Sequence, residues 1–600
     1  MTLEISRLLE LTTWRVFDVA DDGRVLAGCD ESGSVQLVEL AEGGCTELTA
    51  LAGAVVGRYL PGERAVVVQH DSDGDERGQL SLLRLDDRRS RPAPLSELEP
   101  LVRDSEHVHR LLDVLPGRIV YATNRRNGVD FDVVIRSVTT GEEHVVHDGG
   151  GMVAEVAISP DSRFAAITVP ATKPLSDQVL VADTMPETGA DQLRELTDRD
   201  LAARHLHPGW QPGGLVVTTD AGRDRTGVAR LDPRTGGHHW LVTSDEHDLS
   251  GRLSPNGRTL LVLTAVDGAH RAALHEAATG EHVVDIALPS GGWCGYPLPE
   301  PVWSPDSRFA ALSFSSPSTP GDVLLVDTAT GTCTPLTSSA AQLAEETLVE
   351  PTVHRVPARD GEQIPCFRYA PAAPDGSAVL LIHGGPESQS VRSFHPLVQA
   401  MVSRGHTVLV PNVRGSTGYG KRWYSADDAR NRLESVQDLA DLHRWLPSVG
   451  LDPSRAALWG GSYGGYMVLA GLAFQPELWA AGVDVVGISS LVTFLENTAP
   501  YRRAHREREY GSLIADADFL REASPLNRAS AIAAPLFVLH GANDPRVPLT
   551  EAEQIVEAVR ANGVAYEFHV YPDEGHGLAK RANRLDAYPK ALAFLSRHLG

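Results

Sequence analysis

A strand–turn–strand pattern recurs along the first 345 residues of this 600-residue chain. Residues 158–166, 253–261 and 303–311 follow one pattern, in which an apolar stretch meets a turn containing Ser-Pro and then a second apolar stretch. Weaker copies have their turns at 21–24, 61–64, 116–118 and 212–214. The copies follow one another at roughly 40 to 55 residues, a period typical of repeat architectures.

A second turn recurs between the copies. It contains Thr-Gly and occurs at 139–142, 234–237, 278–281 and 329–332. Two turns in each period imply four strands in each repeat, which predicts a β-propeller. We predict seven blades, with six or eight as the alternatives. A two-sheet β-sandwich is disfavoured because the repeat is too long and too regular.

The second half of the chain contains a serine between glycines. Residues 460–465 are Gly-Gly-Ser-Tyr-Gly-Gly, with an apolar strand pattern before them and an apolar helical pattern after them. This arrangement indicates the nucleophile elbow of an α/β-hydrolase, with Ser462 as the nucleophile. The sharp turn needs small residues two positions before and two after the serine, and Gly460 and Gly464 occupy those positions.

An acid and a histidine must follow the serine in chain order, each on a loop that leaves a strand. Asp544 lies in a turn-rich loop after one apolar stretch, and His576 lies in the loop after the next strand pattern. The alternatives are weaker: alternation places His569 inside a strand, and Asp573 is too close to His576 along the chain to reach its far nitrogen easily. We therefore predict a catalytic triad of Ser462, Asp544 and His576.

The chemistry of acyl transfer explains these residue types. Serine attacks only when a neutral imidazole takes its proton, and a carboxylate holds that imidazole in the correct tautomer. The oxyanion then needs two backbone N–H donors. Tyr463 supplies the first because it follows the nucleophile, and Gly385 or its neighbour Gly384 supplies the second from the loop after another apolar strand. We interpret His383 as structural.

Composition limits the other classes of function. The formal net charge of −25 disfavours nucleic acid and anionic membranes as partners. The N-terminus lacks a signal-peptide pattern, and no apolar run approaches about 18 residues. The five cysteines are scattered and fit reduced thiols. We therefore expect a cytoplasmic protein. Residues 71–76 resemble part of a calcium loop, but we expect a solvated hairpin tip there. We predict no metal and no cofactor.

We expect two domains, since 600 residues are too many for one core. The predicted seven-bladed β-propeller, with a short N-terminal segment, takes residues 1–345. The α/β-hydrolase catalytic domain takes residues 346–600.

The chain resembles the prolyl oligopeptidase family, most closely its acylaminoacyl-peptidase and aminopeptidase-like branch. The resemblance covers nearly the whole chain and is carried by five motifs: His-Gly-Gly-Pro (383–386), Pro-Asn-Val-Arg-Gly-Ser-Thr-Gly-Tyr-Gly (411–420), Gly-Gly-Ser-Tyr-Gly-Gly (460–465), Asn-Asp-Pro-Arg-Val-Pro (543–548) and Glu-Gly-His-Gly (574–577). It implies a serine peptidase whose propeller filters substrates by size. It also implies that Arg546 binds a substrate carbonyl and that Tyr463 and Gly385 are the oxyanion donors.

The expected substrates are short peptides or aminoacyl amides, from which the enzyme would release free or acylated N-terminal residues. An esterase, or a small-molecule amide hydrolase that acts on compounds such as puromycin, is the alternative on the same scaffold. We keep a homo-oligomer as an alternative to a monomer. Segment 491–511, with Phe494, Tyr501 and Tyr510, is predicted to line an apolar pocket, and we expect Glu507 and Glu509 on a charged helix face rather than at a substrate amine.

Overall fold

Seven four-stranded antiparallel sheets make up the N-terminal part of the molecule, whose computed structural model describes residues 2–42, 44–85, 91–185 and 193–600. Each sheet is built from four consecutive strands, so the predicted seven-bladed propeller is confirmed. The strands of blades 1 to 4 are β1 Trp14–Val19, β2 Val25–Cys29, β3 Gln36–Ala41, β4 Gly44–Glu47; β5 Val55–Tyr59, β6 Ala65–His70, β7 Gln79–Arg84, β8 Glu99–Val102; β9 His109–Leu115, β10 Arg118–Thr123, β11 Asp132–Ser137, β12 Glu143–His147; β13 Glu155–Ile158, β14 Phe164–Pro170, β15 Asp177–Asp183 and β16 Leu193–Glu195. Those of blades 5 to 7 are β17 His205–Gln211, β18 Gly214–Thr219, β19 Gly227–Leu231, β20 His238–Val242; β21 Leu249–Leu253, β22 Thr259–Val266, β23 Ala269–Glu276, β24 His282–Ile286; β25 Val302–Trp303, β26 Phe309–Ser316, β27 Thr319–Asp327 and β28 Cys333–Pro335.

The repeated Ser-Pro turn joins the first and second strands of a blade and is held by its own side chains. In blade 4, the Ser159 hydroxyl donates to Asp161 at 2.6 Å and accepts from the amide of Phe164 at 2.8 Å. Ser304 makes the same pair of bonds in blade 7. A short side chain that bonds to nearby backbone stabilises a tight turn. The Ser-Pro motif therefore recurs in blades 4, 6 and 7 because each of them uses the same hairpin.

The first strands of the blades surround a central channel. A cavity of about 990 Å³ is lined by residues from all seven first strands or their turns. The ring closes where blade 1 meets blade 7: the amide of Val16 donates to Ser313 Oγ at 2.9 Å, and the amide of Asp306 donates to Asp21 Oδ1 at 2.7 Å.

An eight-stranded sheet forms the core of the C-terminal part, in the order β29-β30-β32-β31-β33-β34-β35-β36. Its strands are β29 Thr352–Pro357, β30 Gln363–Tyr369, β31 Ala378–Ile382, β32 Thr407–Pro411, β33 Ala456–Gly461, β34 Ala481–Val485, β35 Leu536–Gly541 and β36 Tyr566–Tyr571. The pairs from β32 through β36 are parallel, as in a doubly wound α/β fold, which confirms the α/β-hydrolase fold.

Helices cover both faces of this sheet. The α-helices of the chain are α1 Ile5–Leu9, α2 Pro396–Ser403, α3 Lys421–Tyr424, α4 Arg432–Trp445, α5 Tyr463–Phe474, α6 Leu491–Asn497, α7 Pro500–Tyr510, α8 Ala517–Glu522, α9 Leu549–Ala561 and α10 Arg581–Leu599. Short 3₁₀ helices span Leu95–Glu97, Ser339–Leu343, Ala429–Asn431, Leu446–Val449, Pro453–Arg455 and Pro525–Ala531. None of the helices in the described ranges combines the length and the apolar character needed to cross a membrane.

The N-terminal segment packs on the hydrolase rather than on the propeller. Ile5 and Leu8 of α1 belong to the same buried cluster as Leu397 of α2 and Phe594 of α10. The last propeller strand ends at Pro335 and the first sheet strand of the hydrolase begins at Thr352. We propose that the domain boundary lies at residue 345, between these two strands.

Candidate active site

Ser462 lies at the turn between β33 and α5, with φ 58° and ψ −117°. This left-handed conformation is strained for a residue with a side chain and is typical of a functional position. A Cβ atom on Gly460 would overlap the carbonyl oxygen of Gly464, and one on Gly464 would overlap that of Ile382. Strand and helix therefore pass as closely as the sequence pattern predicts, and the serine side chain extends from the end of the sheet.

The structure brings the three predicted triad residues into one hydrogen-bonded row. His576 Nε2 lies 2.9 Å from Ser462 Oγ, and His576 Nδ1 lies 2.7 Å from Asp544 Oδ2. Asp544 follows β35 and His576 follows β36, so both loops leave the carboxyl ends of parallel strands. These distances suit proton transfer from the serine to the imidazole.

The Asp544 carboxylate is held on both oxygens. Oδ1 accepts from the backbone amides of Arg546 at 2.8 Å and Val547 at 3.0 Å, which leaves Oδ2 for His576. Burial pushes the pKa of Asp544 upward, but the hydrogen bond and the charge of His576 outweigh it, so the pKa lies below its ordinary value. The carboxylate is therefore ionised near neutral pH.

The two alternative residues are engaged elsewhere. Asp573 accepts from Lys580 at 2.9 Å and from Asn583 at 3.1 Å. His569 lies inside β36, with its ring 5.1 Å from that of Phe537. Neither side chain is part of the hydrogen-bonded row at Ser462.

The predicted oxyanion donors flank the nucleophile. The amide of Tyr463 is in the first turn of α5, where N–H groups have no partner within the helix. Gly385, at φ 140°, lines the same cavity as Ser462, together with Gly384. His383 is fixed by Gly384 O at 2.8 Å and Ser416 Oγ at 2.8 Å, in keeping with the structural interpretation.

A buried network that the sequence did not reveal holds the Tyr463 side chain. Its hydroxyl lies 2.7 Å from Ser435 Oγ and donates to Asp427 at 3.0 Å. Arg432, which is fully buried, pairs with both Asp427 and Glu509. Because this network fixes the tyrosine, it also fixes the backbone amide that would face the oxyanion. The expectation that Glu509 lies on a charged helix face is wrong, because the Glu509 side chain is buried and paired with Arg432.

A cavity of about 360 Å³ opens over Ser462. Phe494 and Tyr510 line it as predicted, with their rings 5.6 Å apart. Tyr501 instead lines a neighbouring cavity of about 590 Å³, where it packs on Phe131 of the propeller. The cavity at Ser462 is also less apolar than predicted, because charged side chains of α7 reach it.

Arg546 lies between the two domains. It lines the cavity at Ser462, and its Nε donates to Glu76 of the propeller at 2.6 Å. Residues 71–76 are therefore not the solvated hairpin tip that we expected: Asp73 pairs with Lys580 at 2.8 Å, and a Cβ on Gly74 would meet the backbone of Gly575. The acidic residues of this loop are visible in the sequence, but no neighbouring residue indicates that the loop contacts the loop of His576.

Comparisons with known proteins agree with this geometry. Residues 392–600 match the sequence profile of the prolyl oligopeptidase family, which confirms the resemblance. The chain is 28% identical over 578 residues to dipeptidyl aminopeptidase BIII of Pseudoxanthomonas mexicana, covering 88% of this chain and 78% of that enzyme. It is 26% identical over 237 residues to the acylamino-acid-releasing enzyme of Rattus norvegicus, covering 37% of this chain and 31% of that enzyme. A puromycin-hydrolyzing peptidase of Mycobacterium tuberculosis has the same fold, with a TM-score of 0.86 and 21% identity over 100% of this chain and 96% of that one.

Proposed function

We propose that this serine peptidase of the prolyl oligopeptidase family releases N-terminal residues from short peptides or hydrolyses aminoacyl amides, through a Ser-Asp-His triad and an acyl-enzyme. The observation that carries the proposal is the row of Ser462, His576 and Asp544, joined by hydrogen bonds of 2.9 and 2.7 Å beside two candidate oxyanion amides.

Acylation begins when Ser462 Oγ attacks the substrate carbonyl and passes its proton to His576 Nε2. The Nδ1–H of His576 meanwhile donates to Asp544, whose negative charge stabilises the imidazolium. The amides of Tyr463 and Gly385 are our proposed donors to the oxyanion. When the tetrahedral intermediate collapses, His576 gives its proton to the leaving amine, and the acyl group stays on the serine.

Deacylation repeats these steps with water as the nucleophile. His576 takes a proton from the water that attacks the ester, and it returns the proton to Ser462 Oγ when the acid product leaves. The cycle needs no group beyond the residues described, because each proton that the histidine accepts is given back within one half-reaction.

Chromogenic amides with free, acetylated and dipeptidyl N-termini test the proposal. The relatives that are similar to this chain include a dipeptidyl aminopeptidase and an acylamino-acid-releasing enzyme, so both free and acylated N-termini belong in the panel. Hydrolysis of at least one amide class supports the proposal. Hydrolysis of p-nitrophenyl acetate with no activity on any amide would favour the esterase.

Removing the Arg546 guanidinium should affect substrates selectively. By resemblance it binds a carbonyl on the acyl side, a contact that a minimal acetyl ester lacks. We expect Arg546→Ala to lower kcat/KM for peptide amides by roughly 10- to 100-fold, the scale of a charged hydrogen bond of about 1.5–3 kcal/mol, while p-nitrophenyl acetate hydrolysis stays within a few fold.

Arg521→Ala is the matched control, because Arg521 is exposed and its guanidinium pairs with nearby Asp518 on the same helix. Equal losses on both substrates of the Arg546 variant would show that Arg546 acts through its ion pair with Glu76, supporting the domain contact instead of binding substrate.

Substrate size should limit the activity. Residues of both domains line the cavities around the triad, including Tyr296 and Glu76 from the propeller, so a substrate must pass between the domains or through the channel. We expect cleavage of peptides below roughly 30 residues and none of a folded protein or of casein, because threading a long chain costs entropy at every ordered residue.

Mass spectrometry of digests checks this expectation. Covalent serine reagents should abolish the activity, and chelators should leave it unchanged. Efficient casein digestion by the intact chain would contradict the size filter without touching the triad.

A further inference from the structure

Two arginines on one face of α7 reach the cavity at Ser462. Arg502 and Arg506 are one helical turn apart, and both line this cavity together with Arg546. Arg546 is paired with Glu76. Within the ranges that the structure describes, neither Arg502 nor Arg506 forms an ion pair within 4 Å, and the carboxylates whose charges act on them are Glu76 for Arg502 and Glu387 for Arg506.

Two other arginines of the same helix donate to backbone carbonyl oxygens of the protein. The Arg503 guanidinium donates to the carbonyl oxygens of Leu495 and Glu496. Arg508 donates to those of Ala171 and Ser176 in the propeller, at 2.7 and 2.9 Å. The two cavity arginines therefore differ from their neighbours in having no such fixed carbonyl acceptor among the described residues.

The position of Arg502 is unfavourable for a cation. It lies in the first turn of α7, where the helix dipole is positive. Burial, and then the charges of Arg506 and Arg546, lower the pKa of Arg502 to about 10. Like charges held together in a cleft disfavour each other and are typical of a functional site.

One carboxyl group, that of Glu387, lines the cavity beside the arginines. Glu387 accepts from the amide of Leu175 at 3.2 Å and has His505 Nε2 at 3.8 Å. Burial, and then the neighbouring Glu509, raise the pKa of Glu387 to about 8, against the opposing effect of the Arg506 charge. With Arg546 paired with Glu76, one carboxyl group faces two arginines, so the lining of the cavity keeps an excess of positive charge.

We propose that Arg506, supported by Arg502, binds the carboxylate of an acidic side chain on the substrate residue just before the scissile bond. The inference rests on the proposed function and names the substrate class of that site. Arg506 lies one turn before Tyr510 on the same face of α7, and both line the cavity with Phe494. The methylene groups of a glutamate would pack on the two rings while its carboxylate meets the guanidinium, a pairing that arginine forms well.

The test compares glutamyl and glutaminyl p-nitroanilides that carry whichever N-terminus the amide panel shows to be cleaved. The two side chains have the same shape, so the ratio of their kcat/KM values isolates the charge. We expect the wild-type protein to prefer the glutamyl substrate by roughly 10- to 100-fold, the scale of one charged hydrogen bond. We expect Arg506→Gln to bring the ratio close to one, and Arg506→Lys to retain part of it.

Arg503→Gln is the matched control, because it removes the same charge from the same helix outside the cavity lining. It should keep the wild-type ratio. Raising the salt concentration should lower that ratio, since salt screens a partly exposed charge pair. A wild-type ratio near one, or an Arg506→Gln ratio equal to that of the wild type, would overturn the proposal.

Two further substrates locate the anion. One carries the glutamate a residue further from the bond, and the other carries a free carboxylate on the leaving side. Preference for either of these without preference for the glutamate next to the bond would overturn the assignment. Cleavage of neutral amides with no charge discrimination rejects only this subsite, whereas failure to cleave any amide rejects the proposed function.

Discussion

Replacement of Ser462 by alanine is expected to lower amidase turnover by roughly 10⁴-fold or more, which corresponds to about 5.5 kcal/mol of activation free energy. The loss is large because the acyl-enzyme route needs the hydroxyl that lies 2.9 Å from His576 Nε2. Without it, only substrate binding and the oxyanion amides contribute to catalysis.

The measurement is kcat on the best amide of the panel, with the melting temperature recorded in parallel. Alanine keeps a Cβ atom at φ 58°, so the backbone strain of the elbow changes little and the fold should persist. Ser448→Ala is a matched control, since Ser448 is exposed and its hydroxyl donates to the nearby carbonyl oxygen of Trp445. Near-normal turnover in the Ser462 variant would remove this serine from the proposed mechanism.

The propeller could be predicted from the sequence because its signals are local. The turn that begins at Ser159 is closed by hydrogen bonds within six residues, and the same bonds recur at Ser254 and Ser304. Three blades carry this Ser-Pro turn and the other four have a weaker turn at the same place in the repeat, so even the number of blades was predictable.

The elbow and its partner loops were predictable for a similar reason. The steric demand at Gly460 and Gly464 comes from one strand-to-helix turn, and chain order then restricts where the acid and the histidine can lie. What the sequence cannot specify is which distant side chains meet this turn. Arg432 pairs with Glu509 in the core, so the prediction that Glu509 lies on a charged helix face is wrong.

The contacts between the domains were the least predictable part. Glu76 and Arg546 are far apart in sequence and meet only because the blade 2 loop docks on the hydrolase. The same holds for the cavity: the aromatic residues Phe494 and Tyr510 suggested an apolar pocket, whereas the orientation of α7 also brings Arg502 and Arg506 into it. Shape complementarity between folded domains has no periodic signature in the sequence.

Replacement of Asp544 by asparagine should cost a factor close to that of the serine variant, roughly 10⁴-fold in kcat. The reason lies in the two backbone amides of Arg546 and Val547, which both donate to Oδ1. An asparagine must keep its carbonyl oxygen toward these donors, so its NH₂ group faces His576 Nδ1. That nitrogen must then accept, and the proton moves to Nε2, where it blocks proton transfer from Ser462.

The matched control is Asp573→Asn, on the same loop as His576. Asp573 binds Lys580 and Asn583 instead of the imidazole, and its asparagine variant should stay within a few fold of the wild-type kcat. Because asparagine has nearly the shape of aspartate, both variants should melt close to the wild-type temperature, so a selective loss in Asp544→Asn reports the tautomer of His576 and not damage to the fold. If the Asp573 variant lost its activity and the Asp544 variant kept it, the assignment of the acid would be reversed. Both carboxylates lie near His576, but only one of them can accept the hydrogen bond from its Nδ1–H.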